Sequence, residues 1–236
     1  MRNSRSIGAV WGLPAMKFTL TYDGPLPSSG NKSKPAVVWE IRKAFHPQLK
    51  DLWQSHPALR QVEGNRYFPK YGGATLTQGH HLHPTPLIGV KREEFGVIVP
   101  PDTGELLDLC EPLPKHGTWF VPLVRDSYAL HCGLKVLFLR KEAPGKVYQG
   151  GDVDGRIKTL IDALTAPQHR EQVLEERKQR EDAIYCLMED DSLVSGLAVE
   201  SERLLTDQNH DKDFVRLVIE VDVRVRLATI YNQSFL

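Results

Sequence analysis

The chain holds three cysteines, Cys110, Cys132 and Cys186, and no C-x-x-C pair. An odd, scattered set of thiols argues against a disulfide framework or a cysteine-built zinc site, and fits a reducing cytoplasm. No apolar run approaches the roughly 20 residues needed to span a bilayer, so no membrane segment is expected. Net charge is also missing: 30 Lys and Arg balance 30 Asp and Glu. A dedicated nucleic-acid binder is usually more basic. Internal repeats and low-complexity tracts are absent. The Gly-, Pro- and Ser-rich stretch 23–35 lacks the glycine–lysine spacing of a phosphate-binding P-loop.

What is present is an ordinary globular composition over 236 residues, enough for one elaborated core or two small ones. The neutral total hides an asymmetry. Residues 1–70 carry 11 basic against 4 acidic side chains, and the remainder 19 against 26. A phosphate-binding surface beside a metal-binding one has that signature, and so does a mixed solvated surface. Residues 1–15 carry Arg2 and Arg5 with too weak an apolar patch for a secretory signal. They are expected to be an extension, with Met16 opening the folded chain.

Alternation predicts strands over 17–22, 119–124, 129–140, 193–199 and, most clearly, 214–227. In the last, Val215, Leu217, Ile219, Val221 and Val223 share one face. Helical spacing of Val37, Val38, Ile41, Phe45, Leu49, Leu52 and Trp53 predicts a helix over 36–53, kinked or divided at Pro47. The stretch 64–117 is studded with Gly and Pro, with a possible hairpin pairing 87–90 and 96–99. Its histidines His80, His81 and His83 lack an acidic or cysteine partner at ligand spacing and read as a solvated loop. Residues 167–182 are densely charged and read as an exposed helix.

The chemistry concentrates at 151–164, G-D-V-D-G-R-I-K-T-L-I-D-A-L. Ile157, Leu160, Ile161 and Leu164 form one apolar stripe, while Asp154, Lys158 and Asp162 recur every four residues on another side. Carboxylates close together where a loop feeds a helix suit a hard divalent cation. Taken alone, Asp152 and Asp154 would more often be turn and N-cap residues, since Asp favours both. Lys158 and Asp162 could form a surface pair worth only about 0.3–0.5 kcal/mol. A calcium loop is disfavoured because the later ligand positions and closing Glu are missing. A D-x-D nucleotide-sugar transferase would need a nucleotide-binding α/β domain upstream, and 64–117 does not read as one.

With the downstream pair Asp190–Asp191 ahead of a strand, and P27-S28-S29-G30-N31 after the first strand, the pattern resembles the RusA-like Holliday-junction resolvases. The likeness covers 129–227 well and 17–45 loosely. It departs at Gly155, where the family usually has asparagine, and at the long connection 167–182. The resemblance implies a single α+β domain over 16–236, a mixed or antiparallel sheet packed against helices, with insertions at about 64–117 and 167–182. It implies a Mg²⁺-dependent (or Mn²⁺-dependent) endodeoxyribonuclease that cuts branched DNA as a homodimer. Its metal ligands would be Asp152, Asp154 and Asp191, with Lys158 holding the phosphate or attacking water and Asp162 and Asp190 as accessory acids. Nucleic-acid contacts would come from Asn31, Lys32, Lys34 and Arg156. The alternative reading is a branched-DNA-binding module without cleavage, or a subunit of a larger assembly.

Overall fold

The alternating stretches become strands, and four of them make the main sheet. The structure, a computed structural model, describes residues 16–28, 34–71, 102–141, 152–206, 213–226 and 232–235. Its elements run β1 (Met16–Pro25), α1 (Lys34–Ser55), α2 (Pro57–Gly64), β2 (Tyr67–Tyr71), β3 (Asp102–Asp108), β4 (Leu113–Lys115), β5 (Thr118–Val124), β6 (Leu130–Arg140), α3 (Asp152–Leu164), β7 (Ile184–Met188), β8 (Val194–Arg203) and β9 (Phe214–Val225). The main sheet has the order β1-β9-β6-β8; β9 is antiparallel to both neighbours and β6 is parallel to β8. A second sheet, β4-β5-β7, also mixes one antiparallel and one parallel pair. This is the expected α+β architecture.

Period two decides the faces. Leu217, Ile219, Val221 and Val223 of β9 and Cys132, Leu134, Val136 and Phe138 of β6 are buried in the core, whereas Arg216, Glu220 and Arg224 are exposed. Each fully buried aliphatic or aromatic side chain contributes roughly 1.5–3 kcal/mol. A one-residue slip would turn a whole face to water, so the pattern sets the register. Onto the same core α1 lays Val38, Ile41, Phe45, Leu49 and Trp53. Pro47 does not divide it: α1 runs through as one helix of 22 residues. Pro47 is exposed, so the carbonyl it leaves unbonded is on the solvated side, while Phe45 and Leu49 pin both flanks.

The exposed helix expected over 167–182 is not there. The segment holds only two short 3₁₀ turns, Arg170–Gln172 and Arg180–Asp182. It lacks an apolar stripe that could pay for a helix, and its side chains bond elsewhere. Val173 is buried beside Trp39, Phe120, Ile184 and Cys186. The Gln172 side chain accepts from the Gln168 backbone (3.0 Å), and Lys43 of α1 holds Glu175 (2.9 Å). The segment is a strap bound to the body.

Asn31, Lys32, Gly151, the histidine cluster, the hairpin expected within 87–99 and the extension 1–15 lie outside the described residues. No helix among those described is long and apolar enough to cross a membrane. All three cysteines are free, and burial raises Cys132 and Cys186 to about 12 and Cys110 to about 11. At neutral pH they are unreactive thiols.

Candidate functional site

The motif helix starts at Asp152, so both acids of D-x-D sit in the first turn of α3. Negative charge there complements the helix dipole. Positions two apart lie about 200° apart around a helix axis, whereas Asp154 and Lys158, four apart, share a ridge. Asp154 and Lys158 are both exposed, and neither has a hydrogen-bond or ionic partner among the described residues. The Asp152 side chain is outside the described set. Beneath the ridge, Val153, Ile157, Leu160, Ala163 and Leu164 are buried, with Ile161 partly so. Gly155, the departure from the asparagine pattern, is a buried helix position whose carbonyl accepts from Thr159 Oγ1 (3.0 Å).

The other residues of the motif have structural partners. Asp162 pairs with Lys34 of α1 at 2.5 Å, rather than with Lys158. Arg156 is 6% exposed and reaches Asp213 (3.0 Å), so its guanidinium is turned to the fold and not to a phosphate. Arg42 was not singled out by its sequence context. It is fully buried and donates to the carbonyls of Asp162 (2.7 Å), Thr165 (3.0 Å) and Gln172 (3.2 Å). It thereby caps the C-terminal end of α3, where a cation is favoured. Burial lowers its pKa to about 10, which leaves it charged at neutral pH. Its place on the apolar stripe of α1, one residue after Ile41 and three before Phe45, was the available signal.

The second acidic stretch follows β7. Glu189 is buried, which raises its carboxyl above the ordinary value; its N–H donates to the Val124 carbonyl (3.0 Å). Asp190 caps the turn Asp191–Leu193, accepting from the Ser192 N–H (3.0 Å). The hydrogen bonds from Ser192 hold its carboxyl below the ordinary range. Asp191 is exposed.

These two stretches are not brought together. Asp213, the partner of Arg156, lies just ahead of Val215, which pairs with Arg140 at the C-terminal end of β6. Asp191 instead leads into Val194, which pairs with Cys132 near the other end of β6. Eight residues of extended strand separate those two points, about 26 Å. Asp154 and Asp191 therefore occupy opposite ends of the sheet. Among the described residues, no group of three or more His, Cys, Asp or Glu side chains lies close enough to hold one ion. Asp154 and Asp191, toward opposite ends of β6, do not meet around one cation. Asp154, exposed in the first turn of α3, leaves an open position of the kind Mg²⁺ takes, held by one or two carboxylates with waters and substrate phosphates as the other ligands.

No protein-family model, curated protein or solved structure matches the chain.

Proposed function

We propose that the chain is a divalent-metal-dependent endodeoxyribonuclease of the RusA type. It cuts branched DNA, works as a homodimer in the cytoplasm, and has its reaction centre at the first turn of α3. The observation that carries this reading is the solvent-facing pair Asp154 and Lys158, side by side and unpartnered among the described residues. Asp154 is the described protein ligand for Mg²⁺ or Mn²⁺ in this reading, with waters and substrate phosphates completing the shell. When bound, the ion would shield the phosphate and lower the pKa of a water. Lys158, a compact cation one turn along, suits a phosphate oxygen and orients the scissile group. Asp162 and Asp190 act in the fold rather than in the chemistry. The homodimer follows from the two-fold symmetry of a four-way junction, and the free thiols support a reducing compartment.

Cleavage of four-way, flapped and linear DNA with and without Mg²⁺ tests the reading. Metal-dependent cuts confined to branched substrates are expected. A junction that is shifted in a gel but never cut would overturn cleavage and favour the second reading, a branched-DNA binder. The placement of the two acidic stretches toward opposite ends of β6 motivates that alternative.

A further inference from the structure

The two edges of the main sheet are finished differently. At β1 the side-chain amide of Gln48 donates to the Thr21 carbonyl (2.8 Å) and accepts from the Thr21 N–H (3.0 Å), so the chain's own helix α1 blocks that edge. β8, the other edge, runs for 10 residues with β6 on one side and no strand on the other among the described residues. Ser195, Gly196, Leu197 and Ala198 are exposed; Leu197 is 47% exposed although it pairs with the buried Leu134. The strand holds no proline or lysine, and its one irregularity lies near its start, at Ser195. A row of free N–H and C=O groups of that length is a template for another strand.

The side chains decide which strand fits. Directly opposite residues of an antiparallel pair share a face, so a two-fold axis normal to the sheet sets one residue of β8 against itself. With Val199 on the axis, the regular stretch Gly196–Glu202 pairs along its whole length. Ala198 then faces the partner's Glu200, and Gly196 faces the partner's Glu202. Small residues stand opposite long ones, and a Cβ added at Gly196 meets nothing within 4 Å. On the core side Val199 meets the partner's Val199, with Leu197 diagonal to it. Lys135 of β6 stands beside Ala198, two strand spacings or about 10 Å from the partner's Glu200, a gap that the two side chains span over the Ala198 methyl. An axis at Glu200 would set that carboxylate against itself, and one at Ser201 would set Glu200 against Glu202, both like-charge pairs. An axis at Ala198 runs the pairing into the irregularity at Ser195. We propose that β8 pairs antiparallel with β8 of a second copy, Val199 on the axis, joining two four-stranded sheets into one. This gives the homodimer of the proposed function its interface and rests on that part of the reading, not on cleavage.

Light scattering over a dilution series, without DNA or divalent metal, keeps the test apart from nuclease activity. A dimer is expected. Glu200 and Lys135 are both exposed, so exchanging their charges leaves the core intact. Glu200→Lys sets a second cation beside the partner's Lys135 and should raise the dimer dissociation constant roughly tenfold, with unchanged far-UV circular dichroism. Adding Lys135→Glu to the same chain should restore the dimer. Ala198→Cys mixed with Glu200→Cys should give disulfide-linked dimers on mild oxidation, because opposite Cα atoms lie about 4.5–5.5 Å apart. Neither variant alone should cross-link. A monomeric unsubstituted chain, a dimer unmoved by Glu200→Lys, or a mixture that does not cross-link overturns the proposal. A chain that dimerises as described and cuts no DNA would instead overturn the nuclease reading alone.

Discussion

At the first turn of α3 the described carboxylate, Asp154, stands in solvent beside a lysine; after β7 the carboxylates are largely built into the fold. Asp154 and Lys158 bond to nothing described, while Asp190 caps a turn and Glu189 is buried. A group whose hydrogen-bonding capacity is already used for folding has little left for a metal or phosphate. Solvated, adjacent and uncommitted groups of opposite charge keep theirs. The lesson is that two acidic stretches of similar composition differ in how much of their hydrogen-bonding capacity the fold already uses.

The largest effect should come from the open end. Asp154→Asn, read as initial rate of junction cleavage in Mg²⁺, should lose about 10²-fold or more, with thermal stability unchanged. A second large effect is on stability. Arg42→Met leaves two carbonyls at the end of α3 and the Gln172 carbonyl of the strap without their donor, and should cost about 2–4 kcal/mol in denaturant unfolding. An unchanged midpoint would show that the α3 cap is idle. Asp190→Ala should cost about 0.5–2 kcal/mol as a lost N-cap while leaving cleavage intact; lost cleavage at full stability would move Asp190 into the reaction centre.

Acid gives a further handle. Tyr185 N–H donates to His46 Nδ1 (2.9 Å), and burial, then the cations Arg177 and Lys50, lowers the His46 pKa below its ordinary 6.5. The unfolded chain therefore takes up the proton first as pH falls. Stability is full above about pH 6.5 and declines as pH drops toward the folded-state pKa. His46→Gln should flatten part of that slope, with His56 and His131, shifted in the same direction, keeping the rest. The smallest effect belongs to Lys34→Ala. It removes a partly exposed ion pair with Asp162 and should cost no more than about 1 kcal/mol.

Much of the frame was legible from periodicity. The alternation over 214–227 marked β9, and the 3.6 spacing marked α1 and α3, because each pattern reports a face that must be buried. β7 was missed: I-Y-C-L-M is a short run with no alternation, as strands buried on both faces often are. The strap at 167–182 misled because charge density suggests exposure but says nothing of conformation; buried Val173 and the Lys43–Glu175 bond pin it. Among the site residues, the exposure of Asp154 and Lys158 followed from their ridge opposite the apolar stripe. The partners of Asp162 and Arg156, Lys34 and Asp213, are 128 and 57 residues away along the chain. Local pattern cannot supply such pairings. For the same reason the order of the acids along the chain could not report that they lie toward opposite ends of β6.

The account stands most directly on Asp191→Asn assayed beside Asp154→Asn, on the same four-way junction in Mg²⁺. It predicts that Asp191→Asn cuts within about threefold of the unsubstituted chain while Asp154→Asn is inactive. Equal loss in both variants, with both still folded, would contradict it and require the two acidic stretches to meet in one site.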